Sequence, residues 1–80
     1  MAEGSVESRV IGLVAQVAKV DASTVTPDSK FGADLKTKSI HILQLIALLA
    51  NEFGVQISMP EARRNETVGD VVAMIEEKMA

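Results

Sequence analysis

Val6, Val10, Leu13, Val14 and Val17 recur at three- and four-residue spacing. That spacing predicts one apolar stripe of an amphipathic helix, and Ser5 is placed to cap its start. The stripe fades near Val20, and the stretch from Asp21 to Lys30 has the Asp, Ser, Thr and Pro27 of a loop. A connection running on to Ser39 is long for a compact domain. Some of its own apolar residues must pin it, and Val25, Phe31 and Leu35 are the candidates. A second helix is expected from about Ser39 to Phe53, with Ser39 at the N-cap position and Gly54 as its stop. After the connector Val55-Gln56-Ile57, the run Ser58-Met59-Pro60-Glu61 reads as a short helical turn: a Ser cap, an early Pro and a Glu at the capping-box position. Thr67-Val68-Gly69-Asp70 repeats the cap pattern and opens a last helix striped by Val68, Val71, Val72, Ile75 and Met79. No strand alternation or internal repeat stands out. The expected fold is all-α, a bundle of three main helices and one short one, forming a single domain over 1–80.

The middle helix carries more apolar surface than one core face needs. At about 100° per residue, Ile42, Leu45, Ile46, Leu49 and Phe53 gather on the side that must face the core. A second sector holds Ile40, Leu43, Gln44, Ala47, Ala50 and Asn51, with Leu48 further round beside His41. A wide core stripe accounts for Leu43 and Ala50. Ile40 and Leu48 fit it poorly, and an apolar patch beside a helix start points to a docking surface.

Composition removes whole classes of function. The 80 residues contain no Cys, Trp or Tyr and one His, so there is no disulfide framework and no Cys/His zinc site. A net charge of -3 without large stacking aromatics argues against nucleic acid. With 48% apolar residues the chain is not a disordered tail. Glu3 and Glu7 near the start are unlike a signal peptide, and Leu45 to Ala50 is too short to cross a bilayer. A soluble, cytoplasmic monomer is the default expectation.

No self-sufficient active site emerges, and no metal site. Glu76 and Glu77 are adjacent and read as a solvated helix face. His41 and Ser39 lie two residues apart, about 200° around the axis, and cannot form a nucleophile–base pair. His41 is therefore read as an exposed polar-face residue. A Ser before an apolar helix is, taken alone, usually a cap; its spacing to other landmarks supplies more.

Phe31, Asp34, Leu35, Ser39, Leu45, Glu52-Phe53-Gly54, Ile57, Glu61-Ala62 and Thr67-Val68 together resemble an acyl carrier protein, without a gap, over nearly the whole chain from about Ser5. The resemblance implies a four-helix acyl-carrier bundle. It also implies that Ser39 carries 4'-phosphopantetheine, transferred from coenzyme A by a phosphopantetheinyl transferase. The thiol of that arm would hold acyl groups as thioesters and present them to acyl-loading and acyl-transferring enzymes, with no catalysis by the carrier. A helix N-terminus suits a phosphodiester anion. The family's bundle can shelter an acyl chain, which the small Val, Ala and Leu residues here permit.

The chain departs from the family where partners bind. The family usually reads Gly-Ala-Asp-Ser-Leu around the serine, and here the run is Lys36-Thr37-Lys38-Ser39-Ile40. Acids usual on the second helix are replaced by Gln44, Ala50 and Asn51, leaving Glu52, and Arg63 stands where the third helix often has an acid. From Lys30 to Phe53 three lysines face two acids, so the negative excess lies elsewhere. Basic patches on typical partners lose most of their complement. Two expectations follow. One is a specialised carrier for a fatty-acid or lipid pathway, with Lys36 and Lys38 neutralising the prosthetic phosphate. Dedicated partners would then dock on Ile40, Leu43, Gln44, Ala47, Leu48, Asn51 and Arg63. The other is a carrier-like interaction module with Ser39 unmodified. A polyketide or aminoacyl cargo stays open beside the fatty acid.

Overall fold

A computed structural model describes residues 5–80. Residues 1–4, which include Glu3 and the start of the expected domain, lie outside the described residues. The element order is α1 (Val6–Ala18), a 3-10 turn at Ala22–Thr24, α2 (Ser39–Phe53), α3 (Met59–Arg63) and α4 (Val68–Met79). The all-α bundle of three main helices and one short one is thus the architecture observed.

Most helix ends form through the signals expected of them. Ser5 Oγ accepts from the Ser8 N–H. Ser58 and Glu61 make a reciprocal capping box at α3, and Thr67 and Asp70 make another at α4. Gly54 closes α2 in the left-handed conformation at φ 66°, donating its N–H to the Ala50 carbonyl.

The core is aliphatic. Val10, Val14, Leu49, Val68 and Ile75 are essentially sealed from solvent. α1 packs against both α2 and α4, and α3 leans on α2. The first stripe buries Val10, Val14 and Val17, and α4 buries Val68, Val71, Val72 and Ile75. Met79, the last position of the α4 stripe, stays exposed at the helix end. Leu45 and Leu49 enter the core from α2, with Ile42 and Phe53 packed against it.

The long connection is anchored as its apolar residues require. Val25 and Phe31 are buried, and Leu35 packs on the core. Backbone hydrogen bonds add a second set of anchors that no periodicity announces. Phe31 donates to the Glu66 carbonyl, Val68 to that of Ser29, and Gly69 to that of Pro27 at 2.8 Å. Gly69 suits the close approach, because a Cβ would stand 3.1 Å from the Pro27 oxygen and the loop would have to give by a few tenths of an ångström. These bonds carry the loop past the start of α4 and deliver Lys36 to Ser39 beside α3.

Candidate functional site

Ser39 is not the cap of α2 but its first helical residue. The N-cap is Lys38, whose ammonium has donors and no acceptor. The capping bond comes instead from the other direction. His41 Nδ1 accepts the Lys38 backbone N–H at 2.8 Å, while the His41 N–H donates to the Lys38 carbonyl. His41 is accordingly half-buried and bonded, not the exposed polar-face residue expected of it. An acceptor three residues after a cap that cannot accept was the available sequence signal, and its aromatic form concealed it.

The relocation has a chemical consequence. Ser39 is exposed, and among the described residues its hydroxyl has no hydrogen-bond partner. The N–H groups of Ser39 and Ile40 belong to the first turn, where no intrahelical carbonyl reaches them. A nucleophilic oxygen and two free donors therefore stand together at the positive end of a 15-residue helix.

The surrounding charge is positive. Ser39, Lys38 and Arg63 line one open cleft of about 500 Å³ with Phe31, Gly32, Thr37, Ile42, Met59, Ala62 and Asn65. Lys36 stands outside that cleft, exposed on the loop just before α2. Its φ is 55°, in the left-handed region that favours glycine. The loop's shape is held by the Thr37 N–H and hydroxyl, both donating to the Phe31 carbonyl at 2.9 Å. Ion pairs among the described residues are Arg9–Glu52, Lys30–Glu66 and Lys78–Glu61. Lys36, Lys38 and Arg63 take part in none of them.

The remaining acid of α2 is exposed but paired with a cation from α1. Arg9 Nε and Nη2 both donate to Glu52 Oε2, at 2.9 and 2.7 Å, and Nη2 also reaches the Glu52 carbonyl. The same guanidinium stacks 4.5 Å from the Phe53 ring centroid. Residues 43 positions apart gave no local sign of this tether. On α3, Glu61 is bound to Lys78 at 2.7 Å, and that ammonium holds its carboxyl below the ordinary range.

The expected docking residues divide. Ile40 and Leu43 are 57% and 50% exposed and lie one helical turn apart, so they form one apolar patch. Gln44, Ala47 and Asn51 are exposed too. Leu48 differs: it is half-buried and packs against the core, sharing a groove with Gln16 and Val17 of α1. The difficulty of fitting Leu48 to the core stripe disappears because α1 covers that side. Behind the cleft, Ile42, Leu45, Ile46, Leu49, Ile57 and Ala62 line an apolar cavity of about 10 Å³, closed by Phe31, Val71 and Met74. Asn65 is its polar member, donating from Nδ2 to Met74 Sδ at 3.3 Å.

The family profile described as "Phosphopantetheine attachment site" matches residues 8–75. An acyl carrier protein of Rickettsia canadensis is 36% identical over 75 residues, covering 94% of this chain and 87% of the relative. That of Solidesulfovibrio magneticus is 38% identical over 74 residues, covering 92% and 95%. This chain belongs to the acyl carrier protein family. It is a carrier and not an enzyme, and its prosthetic group is 4'-phosphopantetheine. Its partners accordingly include a phosphopantetheinyl transferase and acyl-handling enzymes. No helix among the described residues is long and apolar enough to cross a membrane. The site chemistry fits a phosphodiester: an exposed hydroxyl, two free N–H donors, and the Lys38 and Arg63 side chains lining the same cleft.

Proposed function

We propose that Ser39 is the residue esterified in this carrier, and that the chain is a single monomeric domain serving a specialised fatty-acid or lipid pathway. The observation that carries the assignment is the exposed Ser39 hydroxyl, free of capping duty, at the first turn of α2. When bound, the pantetheine arm supplies the thiol on which acyl groups travel as thioesters. The chain's own part is to hold the phosphate end. The Ser39 and Ile40 N–H groups, unpaired in the first turn of α2, would donate to it, and the Lys36 and Lys38 charges would offset its negative charge.

Specialisation rests on the partner face. Typical partners present basic patches, and α2 offers them an acid already held by Arg9. Dedicated enzymes would meet Ile40, Leu43, Gln44, Ala47, Leu48, Asn51 and Arg63 instead, with Leu48 contributing only its outer edge. Lys38, at the place of the usual acid, favours a second reading in which Ser39 is left bare and the module only docks.

Intact mass of the protein from its native host separates the two. Wild type gains the mass of one phosphopantetheine and Ser39→Ala does not; a chain that is bare in the host overturns the assignment. The attached acyl group, seen in the same spectrum, distinguishes a fatty acid from a polyketide or aminoacyl cargo.

A further inference from the structure

We infer that the docking face of this carrier has inverted polarity: its partner is an enzyme presenting an apolar socket ringed by carboxylates. The inference deepens the carrier reading and rests on it. Ile40 and Leu43 supply the apolar centre. Lys38 and Arg63 flank Ser39 in its cleft, and Lys36 stands on the adjoining loop. The acids nearby are largely engaged. Glu52 is gripped by Arg9 and Glu61 by Lys78. Asp34, which accepts the Lys30 backbone N–H at 2.8 Å, and Glu66, paired with Lys30 at 4.0 Å, are the less tightly held acids that oppose these cations. The patch therefore keeps a positive excess in a protein whose net charge is -3.

Lys36 adds its charge from the loop, and like Lys19 at the end of α1 it has a left-handed backbone. A glycine would fill that position without strain. A partner with basic docking residues would face repulsion at three points. One with Asp and Glu at those points gains both steering and register.

The test uses a phosphopantetheinyl transferase with a basic docking rim, and the same enzyme with its rim Lys and Arg residues changed to Glu. Binding of the Ser39→Ala chain to each is followed by titration, with backbone amide shifts mapping the contact. The acidic-rim enzyme is expected to bind about tenfold tighter or more. Its affinity should fall as salt rises, and shifts should centre on Ile40 and Leu43. The variant K36E/K38E/R63E should reverse the preference, and the neutral K36G/K38S/R63Q should abolish it; circular dichroism checks that both fold. Equal binding, a preference for the basic rim, or no binding to the acidic rim overturns the inference. Ser39 modification in the wild-type chain is read separately by mass. A bare Ser39 therefore defeats the proposed esterification of Ser39 without touching the binding result, and the reverse also holds.

Discussion

Lys36, Lys38 and His41 show how much a few residues decide at the start of α2. Lys38 cannot cap, so the first turn depends on the His41 Nδ1 bond to the Lys38 N–H. His41→Ala removes that acceptor and is expected to destabilise the fold by about 1 kcal/mol. Adding Lys38→Ser should restore most of the loss, because a hydroxyl at the N-cap accepts from the N3 amide. Urea unfolding followed by helical circular dichroism checks both, since the chain has no Trp or Tyr to report. A double variant no more stable than His41→Ala would refute this account of the cap. Lys36 is the opposite case. Left-handed backbone costs a non-glycine residue roughly 1–2 kcal/mol, while glycine loosens the unfolded chain by about 0.4–1 kcal/mol. Lys36→Gly should therefore stabilise by a few tenths to about 1 kcal/mol, visible as a higher urea midpoint. A lower midpoint would mean that the lysine, not the backbone geometry, stabilises the loop.

At the scale of elements, the helix starts differ in their dependence on pH. Asp70 Oδ2 accepts the Thr67 and Glu66 N–H groups at the head of α4, and these bonds hold its carboxyl below its ordinary value of 3.8. Glu61 is held below 4.5 chiefly by Lys78, which ties α3 to α4. For a carboxyl whose folded pKa is depressed, the stabilisation is complete above the unfolded value and is lost as pH falls through the folded one. The urea midpoint is thus expected to hold from neutral pH to about 4.5 and to drop below it. Asp70→Asn should lower the neutral midpoint and flatten part of the acid limb. An unchanged acid limb would show that Asp70 does not contribute.

These caps were also the most legible part of the fold. Ser5, Ser58-x-x-Glu61 and Thr67-x-x-Asp70 are patterns whose partners lie within one turn, so the sequence displays both halves of each bond. The span expected for α2, Ser39 to Phe53, is the one observed, but its cap is Lys38 rather than Ser39, because the acceptor is a histidine and the cap a lysine. The stitching of Ser29, Phe31 and Pro27 to α4 was invisible, since backbone carbonyls carry no residue identity.

At the scale of the molecule, one aliphatic core holds everything in place without a disulfide. Leu49 is 2% exposed at the meeting of α1, α2 and the cavity behind Ser39. Leu49→Ala should cost about 2–5 kcal/mol. Folded domains of ordinary stability hold only about 5–15 kcal/mol, and this one is small. The variant should be partly unfolded at modest urea concentrations; a loss under 1 kcal/mol would mean the core can collapse around the gap. The same scale governs charge: a chain that is acidic in total turns Lys36, Lys38 and Arg63 outward around Ser39.

Periodicity, caps and the ungapped spacing of Phe31, Ser39, Glu52-Phe53-Gly54 and Thr67-Val68 were enough to establish the helices, the bundle and the candidate serine. All of these depend on neighbours within a turn or on distance along the chain. Which charges remain free was settled only by folding. Arg9 lies 43 residues from the Glu52 it neutralises, and α1 lies across the side of α2 that contains Leu48. Ion pairing and burial depend on distance in space, and that distance exists only once the helices have packed.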